Sequence, residues 1–142
     1  MGAVAVSADS APVPLHTTAY RSRRFLNWFP LGLTYAFLYM GRYNLNVAKN
    51  ALGPLMTEED FGIIFGMGTL VYGFAFLLNG PLTDKIGGKL AMLIAAAGAA
   101  VSNLAMGWYL WEPSSRSGEE LRLWFSILYA VNMYFQSFGA VA

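Results

Sequence analysis

Cysteine is absent from the chain and histidine occurs once, at His16. That excludes a disulfide framework, a thiolate metal site and any Cys/His cluster with ligand spacing. Charge is equally scarce. Charged residues make up 12% of the 142 residues and hydrophobic residues 56%, where an ordinary soluble domain is roughly 25% charged. So few charges cannot clothe a globule in water, and the composition predicts a protein whose partner is the lipid bilayer. Net charge is only +1, and the basic residues form no stripe with interleaved aromatics, which argues against nucleic-acid binding. Catalytic signatures are missing too. There is no H-E-x-x-H, no P-loop, no G-x-S-x-G and no pair of carboxylates with ligand spacing. The expectation is a protein that is not an enzyme and holds neither cofactor nor metal.

Apolar length is what the chain has instead. Four segments approach the roughly 20 residues that a helix needs to cross about 30 Å of hydrocarbon. They are residues 25–50, 61–82, 90–111 and 123–142. This pattern predicts an all-α, polytopic transmembrane bundle of four helices over residues 25–142. Residues 1–24, rich in Ala, Ser, Pro and Val and lacking periodicity, read as a disordered tail that ends in Arg21, Arg23 and Arg24. Residues 25–40 share the composition of a signal-peptide core. No small-residue cleavage site follows Met40, however, and the apolar run continues through Arg42, so an uncleaved first helix is the better reading.

Lys and Arg near span ends are retained in the cytoplasm. Arg21, Arg23, Arg24, Lys85 and Lys89 lie on the tail side. The opposite side carries Arg116 and Arg122, with Lys49 a further candidate, and the acids Glu58, Glu59, Asp60, Glu112, Glu119 and Glu120. The tail and the link at residues 83–89 are therefore predicted to be cytoplasmic, and residues 53–60 and 112–122 to face outside. The acidic run at 58–60 suits a solvated loop, or the start of helix two through the helix dipole. Gly62 and Gly66, and likewise Ala91, Ala95 and Ala99, stand four apart and predict close helix packing. Trp28, Trp108, Tyr109 and Trp111 sit at span ends and read as interfacial anchors, not cofactor platforms.

The first helix carries the most specific pattern. Tyr35, Tyr39, Arg42, Asn46 and Lys49 are spaced by four, three, four and three residues, so they share one helical face. An unpaired arginine at membrane depth costs several kcal/mol or more, so it should face the bundle interior, a watery cavity or a counter-charge. No acid lies within any of the four segments. The missing anion is then a candidate cargo. Depth leaves a second reading open. Counted from Phe25 at 1.5 Å per residue, Arg42 lies about 26 Å in, where its side chain can snorkel outward. Centred between Arg24 and Pro54, it lies within about 5 Å of the midplane. Asn132 and Gln136, four apart on helix four, suit hydrogen bonds to cargo or, more simply, to a neighbouring helix. Asn79 and Asn103 read as packing residues.

Between helices two and three, Gly80, Asp84, Lys85, Gly87 and Lys89 fit G-x-x-x-D-[RK]-x-G-x-[RK]. This run resembles the loop motif of the major facilitator superfamily, with Gly88 standing where a basic residue is common. Its glycines permit a tight turn, and Asp84 can accept hydrogen bonds at a helix N-terminus or pair with a basic residue. Tyr35, Tyr39, Arg42 and Asn44 look like the Y-x-x-x-Y-x-x-R-x-N run of the organophosphate:phosphate antiporter family. Tyr72-Gly73-Phe74 with Gly80 and Asp84 is similar to that family's second helix, and Asn132, Gln136 and Gly139 to its fourth.

The resemblance implies a secondary active transporter that moves a small anionic solute by alternating access, exchanging an organophosphate for phosphate. Arg42 would hold the phosphate group, with Tyr35, Tyr39 and Asn46 on the same stripe. A guanidinium suits this role because it offers phosphate a rigid fork and stays charged. Tyr43 and Phe76 stand where family members often have basic residues, so the cavity is less positive than the family pattern. The resemblance also implies a multi-pass protein of the cell (inner) membrane, built of two six-helix halves with substrate between them. On that pattern the chain is a partial N-terminal half, a truncated facilitator domain that lacks its C-terminal half and the second phosphate-binding arginine. Two alternatives remain: a non-transporting receptor on the same scaffold, and a four-span structural protein that needs no Arg42.

Overall fold

Thr57 starts the second helix by a reciprocal capping box. Its hydroxyl accepts from the Asp60 N–H, while its own N–H donates to the Asp60 carboxylate, which satisfies two of the free donors at a helix start. Glu58, Glu59 and Asp60 therefore form the first turn, where exposed N–H groups favour negative charge, and the helix begins at Glu58 instead of near residue 61. The computed structural model describes residues 17–111 and 117–142. Four α-helices follow one another: α1 (Thr18–Leu52), α2 (Glu58–Ile86), α3 (Gly88–Tyr109) and α4 (Gly118–Val141), with a 3₁₀ turn at Gly53–Leu55 between the first two. No strand occurs among the described residues.

Two expected boundaries move for local reasons. Residues 18–24, predicted as part of a disordered tail, belong to α1, because the Thr17 hydroxyl and carbonyl accept from Tyr20 and Arg21. Residues 1–16, His16 included, lie outside the described residues. The predicted link over residues 83–89 shrinks to Gly87. Its φ of 85° lies in the left-handed region that favours glycine, and its N–H bonds to the Thr83 carbonyl at 2.8 Å. Asp84 and Lys85 thus end α2, while Lys89 opens α3.

Among the described residues the chain divides into two compact units, one ending at Leu33 and one beginning at Thr34. In the first, the Phe25 and Phe29 rings stack 5.1 Å apart along α1. In the second, α4 packs against both α2 and α3. Ile64, Met106, Phe125, Tyr129 and Met133 form one buried cluster with Leu45 of α1. Leu38, Ala91, Ala95, Ala99 and Phe138 form another. The Ala91–Ala95–Ala99 row is buried as its spacing suggested. Gly62 and Gly66 are not close-packing positions, since a Cβ at either would meet nothing within 4 Å. That role falls to Gly68, against which the Tyr129 ring lies, and to Gly98 beneath the Phe135 ring.

Two helices, α2 and α3, are long and apolar enough to cross a membrane, where four such spans were predicted. Polar side chains interrupt the apolar runs of the other two, Arg42 and its neighbouring asparagines in α1 and Asn132 and Gln136 in α4. The outward surfaces of α2 and α3 are strongly apolar: Leu78 is 72% exposed and Leu104 74%. A water-soluble monomer rarely presents so much contiguous apolar surface.

Candidate functional site

Leu38 and Leu45, buried at 7% and 2% exposure, mark the face of α1 that meets the other helices. Arg42 lies between them at helical spacing and points the same way. Its Nε–H donates to the Gln136 Oε1 of α4 at 3.1 Å. Its guanidinium carbon stands 4.9 Å from the ring centre of Tyr39, one turn back on α1, and 4.6 Å from that of Tyr72 on α2. Three helices therefore build one site around one cation.

The site is cationic with no acid to match it. Among the described residues, the ion pairs join Lys49 to Glu58 and Arg122 to Asp60, the latter at 3.5 Å. Arg42 has only a neutral amide and two ring faces. A hydrogen bond from a charged donor contributes about 1.5–3 kcal/mol, and a ring face about 0.5–2 kcal/mol. Neither brings negative charge to the guanidinium, so an anion adds an interaction that the resident groups do not supply.

A polar relay extends the site into α4. The Gln136 Nε2–H donates to the Asn132 Oδ1 at 2.9 Å, four residues back along the helix. Asn132 and Tyr129 are fully buried, and the Asn132 Nδ2 and the Tyr129 hydroxyl have no hydrogen-bond partner among the described residues. Two other amides, buried Asn79 and half-buried Asn103, are satisfied. Asn79 donates to the Ser137 hydroxyl at 2.7 Å, and Asn103 bonds to Asn44 and to the Ala99 carbonyl. These are packing contacts, as their sequence positions suggested.

The sequence stripe on α1 splits in three dimensions. Tyr39 lies against Arg42, and Tyr35 reaches the cluster through it, its hydroxyl donating to the Tyr39 hydroxyl at 3.4 Å. Tyr35 and Tyr39 are more than a third exposed, so the site is open on that side. Asn46 is exposed and makes no hydrogen bond among the described residues; the structure does not bring it to Arg42. Lys49 turns to Glu58 and the Phe61 ring. Tyr72 was not a predicted site residue, and Gln136 was read first as packing. Both come from other helices, where spacing on α1 gives no signal.

The loop-motif residues form a separate feature. Asp84 lies about three turns along α2 from Tyr72. It is exposed and bonds to nothing among the described residues, as are Lys85 and Lys89. The expected cap or ion pair at Asp84 is not formed. Gly88 fits its place sterically, because a Cβ there would come within 2.7 Å of the Ala142 carbonyl oxygen. Tyr109 turns inward onto Phe125, with ring centres 6.2 Å apart, while Trp108 and Trp111 stay exposed. Trp28, likewise exposed, joins these two tryptophans in keeping the geometry of surface anchors.

Comparison with known proteins finds no matching family model and no matching solved structure. Among curated proteins, the chain is similar to the membrane sensor protein UhpC of Salmonella typhimurium (strain LT2). The two are 26% identical over 111 residues, which is 76% of this chain and 23% of that protein. The chain thus spans under a quarter of the relative's length.

Proposed function

We propose that this chain is the N-terminal part of a secondary active membrane transporter of the major facilitator type, with Arg42 as the ligand for a small anionic solute. The observation that carries the reading is the electrical isolation of Arg42: three helices converge on a guanidinium, and none brings a carboxylate. Two span-competent helices and their apolar outward faces support a bilayer setting. Likeness to a membrane sensor protein supports it independently. In this reading α1 and α4 also cross the inner membrane, with their polar residues turned to an aqueous cavity, and the N-terminus is cytoplasmic. The cargo class is an organophosphate exchanged for phosphate by alternating access, with Tyr35 and Tyr39 lining its path. No bond of the solute is made or broken.

The test uses the full-length transporter in proteoliposomes and a panel of radiolabelled organophosphates. Arg42→Ala is expected to abolish uptake. Arg42→Lys is expected to fail as well, since a point charge lacks the two-pronged grip on phosphate oxygens. Uptake by Arg42→Ala at native affinity would refute the ligand role.

The name of the relative favours a second reading, a receptor that binds the same anion without moving it. Counterflow separates the two. A transporter exchanges internal unlabelled phosphate for external label, whereas a receptor binds label and shows no flux.

A further inference from the structure

The relay behind Arg42 has a direction that chemistry dictates. A guanidinium carries donors and no acceptor, so the Gln136 atom facing its Nε–H must be the amide oxygen. The amide nitrogen of Gln136 then points the other way and donates to Asn132, whose oxygen must face it. The relay therefore runs outward from the cation and ends on the Asn132 Nδ2, a buried donor with no acceptor among the described residues. Gln136 itself is 3% exposed, so its amide is held at both ends inside the protein.

Resting on the anion reading of Arg42, we infer that Gln136 is a positioning residue which, by occupying the Nε–H, leaves the two-nitrogen Nη edge of the guanidinium to grip a terminal phosphoryl group end on. Guanidinium offers two bidentate edges to an oxyanion, one formed by both Nη atoms and one shared with Nε. Gln136 closes the second. The Tyr39 and Tyr72 rings, each within 5 Å of the guanidinium carbon, restrict its tilt, while the amide restricts its roll. The amide is also neutral, so it orients the cation without cancelling its charge. A carboxylate in the same place would bond Arg42 more strongly and remove the attraction for the cargo.

That contrast supplies the experiment. Radiolabelled inorganic phosphate is titrated by equilibrium dialysis into the detergent-solubilised full-length protein, native and with Gln136→Glu or Gln136→Met, from about pH 8 to pH 4.5. The native-to-variant affinity ratio at each pH cancels the titration of phosphate. Near pH 8 the Gln136→Glu change is expected to weaken binding about thirtyfold, because its carboxylate neutralises the guanidinium. Gln136→Met, of similar volume and without an acceptor, is expected to cost about fivefold at every pH. Paired with Arg42, the introduced carboxylate stays charged down to about pH 4.5. Its deficit is therefore expected to hold over the whole range, as that of Gln136→Met does. Equal deficits in the two variants, a Gln136→Glu deficit that disappears by pH 4.5, or no deficit in either would overturn the positioning role. If Gln136→Glu does not fold, Gln136→Met decides alone, and a loss under about twofold overturns the role. Native-like phosphate binding by Arg42→Ala would instead sink the anion reading beneath it.

Discussion

Arg42 and Lys49 stand two turns apart on one face of α1, yet they end in opposite surroundings. Lys49 is paired with Glu58 at the start of α2 and lies 5.0 Å from the Phe61 ring centre. Arg42 has a neutral amide and two tyrosine rings. The cation near the helix end finds an acid because acids begin α2, where the helix dipole favours them. The cation deeper along α1 meets helix interiors that contain none. Position along one helix thus separates a structural charge from an available one, although both share a stripe.

The sharpest way to break that comparison is to neutralise each cation in turn. With Arg42→Met, phosphate affinity is expected to fall at least about a hundredfold, the scale of losing a two-pronged charged contact. Lys49→Met should change it less than about threefold, since that charge is already neutralised by Glu58. Equilibrium dialysis with labelled phosphate reads both. Comparable losses would mean that Lys49 also reaches the anion, and the division between the two cations would disappear.

Stability divides the same two regions by a different physics. Near Arg42 the helices meet by steric fit: the Tyr129 ring fills the space beside Gly68, and a Cβ there would overlap it. Gly68→Ala is expected to cost about 1–3 kcal/mol through overpacking, and Gly66→Ala, with nothing within 4 Å, should raise stability through helix propensity. At the start of α2, Glu58→Gln breaks an ion pair whose acid is 86% exposed, a loss of less than about 1 kcal/mol. Thermal unfolding in one detergent ranks the three. A Glu58→Gln penalty as large as that of Gly68→Ala would show the Lys49–Glu58 pair to be a clamp.

How much of this was legible beforehand follows from the range of each interaction. The order of helices was readable because apolar run length is a local property. Arg42 stood out because an ionisable side chain in an apolar run has few places to go. The capping box at Thr57 spans three residues and left its acidic signature in plain view. Gly68 was not legible, since spacing reveals a row of small residues but not the direction it faces, and Gly62 and Gly66 repeat just as well. Tyr72 and Gln136 were hidden as partners for a related reason: they meet Arg42 across helices, where no periodicity links them. The early start of α1 was missed because its cap, Thr17, lies in a stretch without apolar pattern.

The smallest expected effect probes the interior from its silent side. Tyr129 is buried, with Phe65 stacked 6.4 Å away and no partner for its hydroxyl among the described residues. A buried hydroxyl without a partner costs about 1–3 kcal/mol of desolvation. Tyr129→Phe removes that cost while keeping the ring against Gly68, so ligand-free protein should be as stable as native or gain up to about 1 kcal/mol. The Lys49–Glu58 pair offers no such gain, because both of its charges are already partnered. A loss of stability in ligand-free protein would mean that the hydroxyl has a resident partner. A loss seen only with saturating phosphate would mean that the ligand reaches past Arg42 into the helix-four relay, and would extend the anion site by one turn.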